Sequence, residues 1–175
     1  LAVKITPPKE KDLLTDIDAL FKSKKKSVGK FIISRGNSER GYKFSEDIMH
    51  NRFLIKTKMP SYPKEYFKIG VNLYVCKQKL NHSILSGVKH LNRLENIMAR
   101  QEWKGDDYAD GILLDQNGYV IECISSNIFM RIGKTIFTPK INHVGIKGVT
   151  RELIIKISAQ LGLKIKDTKE GQTWF

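Results

Sequence analysis

The sequence predicts an α+β protein, with hairpins and meanders carrying packed helices rather than a regular strand–helix–strand winding. Three observations carry that expectation. Asn117-Gly118 separates two apolar runs, the strongest short-range hairpin signal. Gly133 divides a second pair of such runs in the same way. Beyond Gly87 the apolar residues change from strand-like alternation to helical spacing. That change is also the expected boundary between a smaller first domain, residues 1–86, and a larger second one, residues 87–175.

In chain order, Pro7-Pro8 opens a charged helix over 9–21, with Leu13, Leu14, Ile17 and Leu20 at helical spacing. Residues 28–34 read as a strand and 35–40 as a Gly/Asn/Ser turn. Two more strands are expected over 52–58 and 67–77, separated by Pro60-Ser61-Tyr62-Pro63. Val71, Leu73 and Val75 alternate with Asn72 and Tyr74, the pattern of a half-buried strand. Leu91, Leu94, Ile97 and Met98 then recur on one helical face up to about Trp103. Hairpins follow over 111–124 and 127–138. Gly148 and Gly162 bracket a helix over 149–161, and a last strand begins at Leu163.

The chain has 175 residues, 41% hydrophobic and 28% charged, enough for one medium domain or two small ones with a real core. No apolar run approaches the length of a membrane span, and no leader is read ahead of the fold. Cys76 and Cys123 lie far apart in strand-like contexts, which suggests neither a disulfide framework nor a zinc site. A reducing cytoplasm is expected, with no membrane partner. The balance of 31 basic against 18 acidic residues leaves a net charge of +13. Nucleic acid is one reading of that excess, but no helix-turn-helix or aromatic-basic interleaving accompanies it, and none is expected as a partner. Steering of an anionic substrate is another; scattered solvated lysines are a third. The run from Lys22 to Ser27 reads as a solvated turn. The chain starts at Leu1 and stops at Phe175 without tapering ends, which suggests a piece of a longer protein.

Four places can carry chemistry. Lys89, in Ser86-Gly87-Val88-Lys89-His90-Leu91-Asn92, is flanked by apolar residues that would desolvate its ammonium and free an amine for Schiff-base chemistry; it also reads as an ordinary surface lysine. Glu122 lies among apolar residues in 119–124, either as a buried carboxyl that must be paired with a cation or protonated, or as an outward-facing strand residue. Strict alternation sets it against Ile121 and Cys123. Gly145-Ile146-Lys147-Gly148-Val149-Thr150-Arg151 leads a turn into a helix N-terminus, an anion site in which Thr150 adds a hydroxyl or simply caps the helix. Arg40 and Tyr42 sit on a Gly-rich turn suited to gripping a carboxylate, or form a polar loop. His50, His82, His90 and His143 have no metal-ligand spacing, and no metal is expected.

Taken together, these segments resemble the class IV pyridoxal-phosphate-dependent enzymes, a family that includes branched-chain and D-amino-acid aminotransferases and aminodeoxychorismate lyases. The match runs through Glu122-Cys-Ile-Ser-Ser-Asn127-Ile-Phe129, Ile136-Phe-Thr138 and Ile146-Lys-Gly148-Val149-Thr-Arg151. Within the family, Leu85-Ser-Gly-Val-Lys89-His-Leu-Asn-Arg-Leu-Glu95, Ile33-Ser-Arg-Gly36 and Arg40-Gly-Tyr42 look like the lyase branch.

The resemblance implies the two-domain fold type IV, with residues 1–86 as part of the smaller N-terminal domain plus linker and 87–175 as part of the larger cofactor domain. Parts present at both ends of relatives are expected to be missing. It implies pyridoxal 5'-phosphate as cofactor, with Lys89 as the lysine that links to it and shuttles protons. Glu122 would face the pyridine nitrogen, Ile146 would pack on the ring, and Val149 and Thr150 would cradle the phosphate. Arg40 and Tyr42 would hold a substrate carboxylate, often across a homodimer interface. The implied reaction turns the dicarboxylate 4-amino-4-deoxychorismate into 4-aminobenzoate and pyruvate, a step in folate precursor synthesis. A D-amino or branched-chain aminotransferase on the same scaffold is the alternative.

Overall fold

The computed structural model describes residues 5, 7–22, 26–43, 45 and 47–168. Residues 23–25 of the basic run, and both chain ends, lie outside the described residues. The chain forms two compact units, Leu1–Lys64 and Glu65–Phe175. The expected division at Gly87 falls inside the second unit, because the strand ahead of it pairs with a strand beyond it.

In the first unit, α1 (Glu10–Leu20) accompanies an antiparallel pair, β1 (Ser27–Ser34) and β2 (Asn51–Lys58), in register from Ser27↔Lys58 to Ser34↔Asn51. Gly29 leaves room for the Phe21 ring: a Cβ there would stand 3.0 Å from its Cζ. Arg52 on β2 pairs with Asp16 of α1 at 2.8 Å.

The second unit holds two three-stranded sheets. In the first, β3 (Leu73–Leu80) pairs parallel with β4 (Asp110–Asp115), which pairs antiparallel with β5 (Val120–Cys123). In the second, β6 (Met130–Ile132) and β7 (Thr135–Pro139) form a hairpin, and β8 (Lys164–Thr168) adds parallel to β7. Both hairpins turn at glycines with positive φ, Gly118 and Gly133, as their sequences require. The parallel pairs need crossovers. α3 (Leu94–Arg100) lies on the β3–β4 connection and α4 (Val149–Gln160) on the β7–β8 connection. The sheets are therefore mixed, with two strand–helix–strand crossings that the hairpin pattern did not announce.

Three local expectations are corrected. The strand over 67–77 is instead a short helix, α2 (Tyr66–Ile69), followed by β3; Gly70 at φ +84° breaks the chain between them. On β3 the inward residues are Cys76 and Leu80, with Tyr74 packed against them, while Val75 on the strand and Val71 ahead of it stay exposed. The sheet has two apolar faces. Cys76, Leu80, Leu113, Ile121 and Val144 join Ala99 and Trp103 on one, and Ile112, Val120 and Cys123 form the other with Leu73 beside them. Helix α3 turns Asn96 and Ala99 inward, leaving Leu91, Leu94, Ile97 and Met98 exposed. Ala99 is fully buried, and its small side chain lets the helix approach the sheet closely, while Asn96 donates to the Ile124 carbonyl at 3.0 Å. Glu102, just after α3, accepts the amides of Lys77 (2.6 Å) and Gln78 (2.7 Å) where the β3 ladder shifts register. Those two donors would otherwise lose their ladder partners.

Candidate active site

Glu122 is only 2% exposed. Its position follows from an irregularity in β5. Leu113 pairs with Glu122 and Leu114 with Val120, so Ile121 is an extra residue between two paired ones. Such a bulge breaks alternation. Ile121 joins the cluster containing Leu113, while Val120 and Cys123 both serve the other face. The strict alternation that set Glu122 against Ile121 therefore does not hold, and all four residues of β5 are buried.

The Glu122 carboxylate is half satisfied. Its Oε2 accepts the Ile146 amide at 2.9 Å and the Asn127 side-chain amide at 3.4 Å. Its Oε1 is buried and has no hydrogen-bond partner among the described residues. Burial pushes the carboxyl up from the ordinary carboxylate range, against the Ile146 amide and the positive charges of Arg93 and Lys89. Buried oxygens of this kind are costly and seldom left unused.

The turn before α4 is built around this carboxylate. Gly145 has φ +87°, and a Cβ on it would stand 2.9 Å from Ile121 Cγ2 and 3.3 Å from Glu122 Oε2. Asn127 bridges the turn to β5, donating to the Ile146 carbonyl at 2.9 Å as well as to Glu122. Gly148 is the N-cap of α4, and a Cβ there would collide with Asn127 Oδ1. Thr150 therefore lies inside the first turn, not at the cap. Val149 and Thr150 are exposed, and the first-turn amides of a helix have no intrahelical acceptor. The preceding loop is held by Asp110, whose Oδ2 accepts the Ser125 and Ser126 hydroxyls at 2.7 and 3.1 Å.

Lys89 reaches the same place by a different route. The Gly87 amide donates to the Gly145 carbonyl (2.8 Å) and the Lys147 amide to the Gly87 carbonyl (3.1 Å), a parallel bridge between Gly87 and Ile146. This clips the Lys89 segment to the turn that carries Ile146. Lys89 itself is exposed, and its neighbour Val88 is 46% exposed, so the apolar flanks do not desolvate the amine as the sequence suggested.

Lys89, Glu122, Asn127, Ile146, Gly148, Val149 and Thr150 line one cavity of about 410 Å³, with Phe129 and Ile154 among its apolar walls. Pockets of that size are typical for small ligands. Arg40 and Tyr42 belong to the first unit, in the loop between β1 and β2, and both are exposed. Asn127, whose amide ties Glu122 to the Ile146 turn, was not singled out from sequence; its place in the Glu122-to-Phe129 run was the only available signal. Burial lifts the Cys76 and Cys123 thiols to about 12 and about 11, which leaves both poor nucleophiles. Among the described residues no group of three or more His, Cys, Asp or Glu is placed to hold a metal ion, and no helix is long and apolar enough to cross a membrane.

Residues 2–171 match the model of the amino-transferase class IV family. The aminodeoxychorismate lyase of Vibrio harveyi is 31% identical over 145 residues, covering 82% of this chain and 54% of that protein. A probable branched-chain-amino-acid aminotransferase of Rickettsia felis is 34% identical over 119 residues, 66% of this chain and 40% of that one. The crystal structure of 4-amino-4-deoxychorismate lyase from Pseudomonas aeruginosa superposes with a TM-score of 0.82 at 32% identity, covering 90% of this chain and 57% of that one. The chain thus spans about half the length of these relatives.

Proposed function

From its membership of the amino-transferase class IV family, we propose that this chain acts as a pyridoxal-phosphate-dependent lyase, converting 4-amino-4-deoxychorismate to 4-aminobenzoate and pyruvate. The observation that carries the reading is the cavity that holds Lys89 beside a buried Glu122 with one oxygen to spare. That spare oxygen fits a protonated ring nitrogen, a cationic donor that would satisfy it. Gly148 leaves room for the Asn127 side chain that ties Glu122 to this turn, and the first turn of α4, which lines the same cavity, favours an anion.

Bound here, pyridoxal phosphate would supply a carbonyl carbon that takes up amines and a ring that accepts electrons. Glu122 would hold the proton on the ring nitrogen, and Ile146 would pack against the ring. The amides of Val149 and Thr150, with the Thr150 hydroxyl, would take the phosphate. Lys89 would anchor the group and, once displaced by the substrate amine, remove the proton from the carbon bearing that nitrogen. Its exposure suits a group that must change position between those tasks. Arg40 and Tyr42 carry the donors that suit a substrate carboxylate. Aromatisation of the product drives the step, so the chain's task is mainly to orient substrate and base.

The test supplies the protein with pyridoxal phosphate and 4-amino-4-deoxychorismate and follows both products. Equal formation of 4-aminobenzoate and pyruvate supports the lyase. If neither forms while the cofactor is linked to Lys89, D-amino and branched-chain donors with a 2-oxo acid acceptor are the next substrates. The Rickettsia relative, at 34% identity, favours that second reading. We also assign the protein to the cytoplasm, to folate precursor synthesis and to a homodimer, the last to be checked by sedimentation.

A further inference from the structure

We propose that Arg93 is a positioning residue of this site: its guanidinium fixes the segment that bears Lys89 through the Val88 carbonyl and supplies a permanent positive charge to the Glu122 carboxylate. The proposal rests on the cofactor reading above and extends it to a residue that lines no part of the cavity.

Arg93 is the N-cap residue of α3, with its backbone at φ −125° and ψ 35° and no side-chain bond to the helix. Its side chain instead turns back five residues along the chain. Nη2 donates to the Val88 carbonyl at 3.1 Å, closing the loop that contains Lys89. The Arg93 amide donates to the Leu91 carbonyl at 2.9 Å, so the same residue ties that loop at two points. The far side of the segment is fixed by the bridge between Gly87 and Ile146. Lys89 therefore stands between two clamps, one from the turn that bonds Glu122 and one from Arg93. The Arg93 Nε is buried and has no hydrogen-bond partner among the described residues, so the charge is drawn partly out of water without a carboxylate of its own at ion-pair distance.

The groups that act on Glu122 come from each packed element. Lys89 contributes from its loop, Arg93 from the head of α3, and the Ile146 amide from the turn before α4. Asn127 adds a neutral amide. Cys123, next in β5, stays a neutral thiol because burial lifts it to about 11. Of the two cations, Arg93 pulls the carboxyl down more strongly than Lys89, and it also holds the His90 imidazole below its usual range, second to burial. A lysine that is to be consumed in a covalent link cannot be the lasting counter-charge. An arginine always charged can.

The experiment reads the Glu122 carboxyl band by infrared titration of the full chain without pyridoxal phosphate, identified by its loss in E122Q. R93M and R93Q are expected to shift the Glu122 titration upward, and R93K to return it towards the unmodified position. A second readout adds pyridoxal phosphate, reduces with borohydride and measures label on the Lys89 peptide. In R93M the label is expected to fall at least about tenfold, the scale of a misplaced reacting group. A Glu122 titration unmoved in both neutral variants, each folded by circular dichroism, overturns the proposal. So does R93K behaving like R93M in that titration. Absence of label in the unmodified chain counts against the cofactor reading alone, because the titration is made without the cofactor.

Discussion

Glu122 and Lys89 line one cavity but are held in contrasting ways. Glu122 sits in a strand buried on both faces, with two hydrogen bonds to one oxygen. Lys89 is exposed on an irregular segment, fixed by a backbone bridge two residues before it and by Arg93 through its neighbour Val88. The contrast matches the tasks proposed for them. A carboxylate that sets a charge state works best immobile, in a packed and bonded environment. An amine that must anchor a group and then carry a proton needs freedom at its end and firmness at its base. Packing supplies the first property and a clipped loop the second.

The comparison breaks most completely at the amine. Lys89→Ala is expected to abolish borohydride-trapped cofactor and to lower product formation by on the order of 10³-fold or more, with the melting temperature unchanged, since the side chain is exposed. Mass analysis of the reduced protein and a product assay check both parts.

Glu122→Gln should leave cofactor bound but slow turnover by about 10²-fold. The same variant tests the cost of burying the acid. Burial raises the folded-state carboxyl above its unfolded value, so the folded chain holds the proton longer. Stability from this group is then fully present below the unfolded value and is lost as pH rises through the folded one. Urea midpoints followed upward from about pH 4, the ordinary carboxylate range, should fall in the unmodified protein and fall less in the glutamine variant.

Smaller effects probe the wall that holds the acid. Gly148→Ala drives a methyl group into Asn127 Oδ1 and should cost about 1–3 kcal/mol together with weaker cofactor binding. Asn127→Ala removes donors to Glu122 and the Ile146 carbonyl and should cost about 1–2 kcal/mol by denaturant unfolding. Equal cofactor affinity in both variants would separate the wall from the site.

Local signals were legible where local chemistry decides the outcome. The turns at Gly118 and Gly133 adopt the positive φ that glycine supplies, and α4 runs between Gly148 and Gly162 as read. Orientation was not legible in the same way. Leu91, Leu94, Ile97 and Met98 recur at helical spacing, yet the residues that α3 presents to the sheet are Asn96 and Ala99. Spacing records which residues share a face, while the choice of face depends on what the helix meets. Val75 shows the same limit on a strand that has apolar residues on both sides.

By itself the sequence determined the hairpins, the limits of α4, the α+β class and the residue types that the cavity would need. Each of those rests on interactions within a few residues along the chain. Only the tertiary structure decided that Ile121 is an extra residue in its ladder, that Glu122 is thereby buried with one oxygen unpaired, and that Gly87 bridges to Ile146 to bring Lys89 beside it. Those outcomes depend on strand register and on contacts between segments dozens of residues apart, where pairing energy rather than local preference sets which way a side chain faces.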